Sequence, residues 1–227
     1  MMAVIRVIDF ETTGFEPPEA QVCEVGICDV DTDTKNVGQT KDWLCKVDVM
    51  PPEVRAVHHI SLSDCADMDA FTDAHLYDGA DAIAAHNMQF EAQFIKCDLP
   101  MICTYKSALR VWPDAPTHSN GGLRYWLEDQ GLIAPDNVRT QPAHRAGPDA
   151  YVTAWLVVAL MNAGATGKQM VEWTKEPKLL SKCTIGKFRG KPWSDVDAGF
   201  LGWMLRQPDM DSDLKWNAAR EMKARAS

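Results

Sequence analysis

The sequence predicts an α/β fold: a mixed sheet flanked by helices, with a small module appended at the C-terminal end. Three observations carry this. Strand-like runs come first, and short apolar strands then alternate with helical patterns, the order expected of a mixed α/β sheet. Hydrophobic residues make up 46% of 227, enough for one full core and an appendage. The composition then changes: Lys178, Lys182, Lys187, Arg189 and Lys191 follow one another with no acid between them. The expected boundaries are 1–165 for the α/β domain, 166–177 for a helix and linker, and 178–227 for the basic, aromatic module.

Each element has a local reason. Ala3–Asp9 is apolar and β-branched, and Val22–Val30 repeats that character apart from Glu24. Gly14, Pro17 and Pro18 punctuate the connection between them. Trp43–Val49 reads as a third strand. Ser61 and Asp64 have the spacing of a capping box, with Asp in place of Glu or Gln. Ala82–His86 reads as a short buried strand, and Asn87 as the N-cap of a helix through Lys96 with Phe90 and Phe94 on one face. Met101–Cys103 reads as a strand, and Thr104 as the cap of a helix to Trp112. Gly122–Gln130 and Pro148–Met161 follow as helices, the latter with proline in a first turn that needs no amide hydrogen there. Residues 166–176 look helical. Phe200, Trp203, Met204, Leu205, Leu214 and Trp216 give the tail an apolar periodicity.

Charge and cysteines narrow the classes of function. The net charge of −9 gives no bulk attraction to a polyanion, so nucleic-acid binding requires a local basic patch, bound cations, or both. Six aspartates between Asp64 and Asp81, with no cation among them, read as a solvated face. Seven cysteines, an odd number with no C-x-x-C, read as reduced thiols of a cytoplasmic protein. No apolar run is long enough to span a membrane, and the first residues lack the layout of a signal peptide.

The chemistry concentrates in three stretches. In DFETTG (Asp9–Gly14) two carboxylates lie two residues apart at a strand end, on the same face, with Phe10 pointing to the core. Ligands bind at the carboxyl ends of strands in open α/β sheets. Two adjacent anions repel, and a hard divalent cation such as Mg2+ or Mn2+ between them resolves the conflict. Alone, such a pair is more often a solvated strand end. In AAHNMQFEAQF (Ala84–Phe94) a strand ends at His86-Asn87 and Glu91 lies one turn into the next helix. In HRAGPDA (His144–Ala150), Asp149 opens a helix and His144 precedes it by five positions. By itself Asp149 also reads as a helix-dipole partner and His144 as a hydrogen-bonded surface histidine. Together the segments place acids where a two-metal site uses them.

These three motifs resemble those of the DnaQ-like 3′→5′ exonucleases, and the histidine five positions before the last aspartate is similar to the histidine-type (DEDDh) branch. Further likeness to one branch of that family runs through VHHIS (Val57–Ser61), ICTYKSALRVWP (Ile102–Pro113) and the tail TIGKFRGKPWSDVDAGFLGWML (Thr184–Leu205). The resemblance implies a ribonuclease H-like sheet and hydrolysis of DNA 3′ ends, single-stranded or overhanging, in repair or recombination, with nucleoside 5′-monophosphates as products. It implies that Asp9 bridges two divalent cations, that Glu11 and Asp149 hold the ion carrying the attacking water, and that Glu91 acts on the second ion. It gives His144 the role of general base, which suits a side chain ordinarily titrating near pH ~6.5. Thr12, Thr13, Gly14, Phe15, His58 and Asn87 fall where relatives meet substrate, Phe15 as a wedge beside the terminal base. Lys182, Lys187, Arg189 and Lys191 become candidate phosphate contacts. The chain departs from the pattern at Glu91, where relatives carry aspartate; one extra methylene moves the carboxylate by roughly 1.5 Å. Two further readings stand beside the first: an RNA-trimming or proofreading exonuclease, and a 3′-end-binding protein weakened at Glu91. His59, His75 and His118 are expected at the surface, and Trp126 and Trp155 in the core.

Overall fold

The computed structural model describes residues 3–226; Met1, Met2 and Ser227, at the ends of the two expected domains, lie outside the described residues. Five strands form one sheet in the order β3-β2-β1-β4-β5. They are β1 (Val4–Thr12), β2 (Val22–Asp31), β3 (Val37–Leu44), β4 (Ala82–Ala85) and β5 (Met101–Cys103). The first three are antiparallel, and β4 and β5 run parallel to β1. Helices α1 (Pro52–His58), α2 (Met88–Glu91), α3 (Thr104–Val111), α4 (Asn120–Asp129), α5 (Ala146–Asn162) and α6 (Gly167–Lys175) interleave with or follow the strands. Helices α7 (Ala198–Arg206) and α8 (Ser212–Ala226) close the chain. No single helix among the described residues is long and apolar enough to cross a membrane.

Strand periodicity sorts β1 into two faces. Ile5 and Val7 point into a core built with Cys28, Val30 and the buried residues of α5. Ile8 and Phe10 point the other way, into a core with Val25, Ile83 and Met88. The period of two therefore carries Asp9 and Glu11 onto the face that α5 covers. The same rule puts Glu24 and Gly26 of β2 on that face, because they share parity with Cys28 and Val30. Helix α5 is apolar nearly all round, as a helix buried between sheet and neighbours must be, with Leu156 and Ala159 also packing on Leu123 and Leu127 of α4.

Several expectations need correcting. The third strand lies at Val37–Leu44, not Trp43–Val49: it is a mostly solvated edge strand whose polar residues hid it. The helix after Asn87 ends at Glu91 rather than Lys96. Gln93 and Phe94 donate to carbonyls only three residues back, and the Asp73 carboxylate captures the Lys96 amide at 2.7 Å. Asn87 occupies the N-cap without a side-chain capping bond. Ser61 and Asp64 do make reciprocal bonds, but they close a turn with no helix behind it. Thr104 is the first residue of α3, not its cap. Helix α1, with Pro52 in its first turn, was not foreseen. His118 is partly buried, its ring accepted by the Trp112 carbonyl at 2.8 Å.

Candidate active site

The site lies where the C-terminal half of β1 meets the first turn of α5. One position makes that meeting possible. Gly26 pairs with Asp9 across the sheet, and a Cβ built on it falls 2.0 Å from the Ala146 carbonyl oxygen and 2.5 Å from the Gly147 nitrogen. The backbone of α5 thus rests directly on the sheet, at a distance no side chain tolerates. Asp149, in that first turn, is lowered beside Asp9.

Asp9, Glu11 and Asp149 each offer an oxygen within 4.8 Å of the others, the one cluster of metal-ligating type among the described residues. The backbone amide of His144 donates to Asp149 Oδ2 at 3.0 Å, which ties the histidine to the cluster while its side chain stays exposed. His144 takes a left-handed backbone, φ +59°, in the turn entering α5. Glu91 stands outside the cluster. It is buried, and its Oε2 has no hydrogen-bond partner.

The electrostatics are those of anions crowded into a poorly solvated place. Burial holds Asp9 well above the usual carboxylate range, and the charges of Asp149, Glu91, Glu11 and Glu24 add to this. Burial, then Asp149 and Glu24, push Glu11 up to about 8, against the pull of Arg145. Burial likewise raises Glu91 to about 8 and raises Asp149, the latter partly offset by the His144 amide. A hard oxygen donor set, mutual repulsion and an orphaned buried carboxylate oxygen together fit Mg2+ or Mn2+.

Sequence reasoning missed a supporting pair. Glu24, 1% exposed, sits opposite Glu11 in the β1–β2 register. Its carboxylate takes a bidentate contact from the Arg145 guanidinium and a 2.9 Å bond from the Ala146 amide. This clamps the residues that separate His144 from Asp149. The signal was an acid inside the otherwise apolar run Val22–Cys28, together with a lone arginine between the histidine and the last aspartate.

The structure distributes the expected substrate contacts unevenly. Phe15 is 80% exposed in the loop that follows the motif. Asn87 is exposed at the end of β4. Thr12 and Thr13 are buried; Thr12 Oγ1 donates to the Gly14 carbonyl at 2.6 Å and Thr13 Oγ1 accepts the Gln21 amide, so both hydroxyls shape the turn. His58 does not face substrate here: it is 2% exposed, and its Nδ1 accepts the Ile60 amide at 3.0 Å. Burial lowers its pKa, against the Glu24 charge and contact with the Thr12 backbone at the end of β1. His86 is similarly internal, pushed down to about 4 by burial, with Nε2 on the His118 carbonyl and Nδ1 on the Thr104 hydroxyl. Lys187 and Arg189 lie in the C-terminal segment, where Lys187 pairs with Asp197 at 3.0 Å and Arg189 donates to the Thr184 carbonyl.

Comparison with known proteins shows the family of the chain. The exonuclease family RNase_T matches residues 7–157, which include every residue of the acidic site. Exodeoxyribonuclease 10 of Escherichia coli (strain K12) is 32% identical over 224 residues, covering 93% of this chain and 96% of that protein. The structure of exonuclease X in complex with 5′-overhanging duplex DNA is 30% identical, with a TM-score of 0.63 over 75% of this chain and 99% of that one. The E. coli exonuclease I complex with single-stranded DNA shares the fold, at 16% identity and a TM-score of 0.55 over 70% of this chain and 41% of that one.

Proposed function

Because the chain belongs to the RNase_T exonuclease family, of DnaQ-like type, we propose that it is a metal-dependent 3′→5′ exodeoxyribonuclease that releases nucleoside 5′-monophosphates from single-stranded or overhanging DNA 3′ ends during repair or recombination. The observation that carries this reading is the Asp9–Glu11–Asp149 cluster with the His144 amide on Asp149. Two divalent cations, Mg2+ or Mn2+, would supply Lewis-acid polarisation of the scissile phosphate and a more acidic water. Asp9, Glu11 and Asp149 would hold them, with Glu91 contributing its unpartnered Oε2.

A ring nitrogen of His144 takes the proton of the attacking water. The hydroxyl oxygen bonds to phosphorus, the P–O3′ bond breaks, and the departing 3′ oxygen is protonated from solvent. The exposed side chain of His144 suits this exchange, because each turnover must return the proton to water. Phe15 stacks beside the terminal base, a contact of ~1–3 kcal/mol that is indifferent to sequence.

The test is degradation of 5′-labelled DNA bearing a 3′ overhang, in Mg2+, Mn2+ or EDTA, by the parent, Asp149→Ala and Glu91→Asp. A metal-dependent ladder absent from Asp149→Ala supports the proposal. A ladder from Glu91→Asp alone means that one methylene silences an otherwise intact site. No ladder from the parent or Glu91→Asp refutes the deoxyribonuclease reading, and the same assay on RNA then decides between RNA trimming and end binding.

A further inference from the structure

We propose that residues 178–226 form a distinct module that binds single-stranded DNA, through a cation-bearing loop at 182–192 and the open face of Trp203. The binding stands by itself; only its use, holding the strand whose 3′ end is cut, rests on the exonuclease reading.

Charge segregation is the first observation. Residues 178–227 hold ten of the 23 cations and six of the 32 acids, a net +4, while residues 1–177 carry −13. A catalytic domain of that charge repels a polyanion at distances within the Debye length, about 8–10 Å at ordinary salt. Residues 178–227 are the part of the chain in which cations exceed acids.

The second observation is how the segment is built. It has its own core, in which Cys183, Trp193, Val196, Leu201, Met204, Leu214 and Ala218 are buried together. The loop is closed at its neck: the Cys183 amide donates to the Lys191 carbonyl at 2.9 Å, and Gly190 returns a 2.7 Å bond to Cys183. Gly186 and Gly190 take left-handed backbones, φ +59° and +81°. At Gly186 the Phe200 ring occupies the space, lying 2.9 Å from where a Cβ would stand. Phe188 packs on Phe200 at 5.2 Å between centroids, and Phe200 on Trp203 at 5.1 Å. This aromatic stack braces the loop from inside and ends in an indole that is 41% exposed.

The third observation is what the loop displays. Lys182, Lys187, Arg189 and Lys191 are all exposed. Of the acids near them Asp197 pairs with Lys187; among the described residues, Lys182, Arg189 and Lys191 form no ion pair. Cations that track a backbone beside an exposed aromatic face are the elements of sequence-independent single-strand binding. The segment is joined beside the site's edge of the sheet, for Lys178 Nζ lies 5.8 Å from the Tyr105 ring, two residues beyond β5.

The test is fluorescence anisotropy of a labelled oligothymidylate with the full chain in EDTA, where no hydrolysis occurs. The triple variant Lys182→Gln, Arg189→Gln, Lys191→Gln is expected to bind at least ~10-fold more weakly, with a salt slope shallower by ~2, the value for three lost phosphate contacts. Trp203→Ala is expected to weaken binding by ~5–100-fold and Trp203→Phe to restore most of it, since phenylalanine keeps a π-face. Thermal melting confirms that each variant is folded. No measurable binding by the parent, or equal affinity and slope in folded parent and variants, overturns the proposal. Its failure is separate from that of the nuclease reading, which is scored by metal-dependent nucleotide release.

Discussion

Replacing Gly26 with alanine tests how the site is assembled. The added Cβ meets the Ala146 carbonyl oxygen at 2.0 Å, about 1.4 Å short of ordinary contact, and its neighbours there are backbone atoms that cannot rotate away. Either β2 bends outward at Asp9 or the first turn of α5 lifts, and both separate Asp9 from Asp149. Overpacking of this kind costs ~1–3 kcal/mol or more, so the melting temperature falls. A misplacement of ~1 Å at reacting groups costs ~10²-fold in rate. We therefore expect folded Gly26→Ala, assayed well below its melting temperature, to lose at least ~100-fold in turnover and to need more Mn2+ for half-maximal activity. Gly121→Ala, where nothing lies within 4 Å of the new Cβ, is the control and is expected to behave as the parent. Folded Gly26→Ala with turnover and metal requirement near those of the parent would refute the claim that backbone contact between sheet and helix sets the distance between carboxylates.

Three further outcomes follow from the same site. Arg145→Leu leaves Glu24 buried and unpaired; the loss is expected at the low end of the ~3–5 kcal/mol for broken buried pairs, because Arg145 is itself a third exposed, and urea denaturation measures it. His144→Ala is expected to lower kcat by ~10²–10⁴ while the Mn2+ concentration for half-maximal stabilisation, read by melting, stays unchanged. In EDTA, Glu11 and Glu91 titrate near 8 when folded and near 4.5 when unfolded, so between those values the folded state holds protons that the unfolded state releases. Stability in EDTA is therefore highest toward pH 4.5 from these groups and falls as pH rises to about 8, and stabilisation by Mn2+ grows over the same window. A melting temperature in EDTA that rises from pH 5 to 8 would contradict this.

Much of the site was legible because its parts obey local rules. Alternation along Ala3–Asp9 fixed the shared face of Asp9 and Glu11, and Pro148 marked the first turn in which Asp149 stands. What escaped needed partners distant in sequence. Val37–Leu44 is polar because an edge strand solvates its side chains, so periodicity had nothing to detect. The helix after Asn87 was overextended because Asp73, 23 residues away, draws off the Lys96 amide. The family resemblance made His58 a candidate substrate contact, yet the ring is buried beside the cluster of Cys23, Ile60 and Cys65. Glu24 was visible as an anomaly, and its meaning came only with Arg145, 121 residues on.

The order of events at the site follows from its charge. Glu24 is answered by Arg145, but Asp9, Glu11, Asp149 and Glu91 have no cation of the protein bonded to them among the described residues. Four carboxylates in one poorly solvated place either stay partly protonated or take up divalent ions, and a phosphodiester approaching the bare cluster meets repulsion. On the proposed reading, cations would enter before the scissile phosphate, and the bare cluster would add nothing to DNA affinity in EDTA. On that reading, the affinity that remains comes from the segment with +4 rather than from the one with −13. Removing the metal and removing the loop cations are thus expected to act on different quantities. EDTA abolishes cleavage and leaves most single-strand affinity, whereas the triple loop variant lowers affinity in EDTA and leaves the Mn2+ stabilisation of the catalytic carboxylates intact.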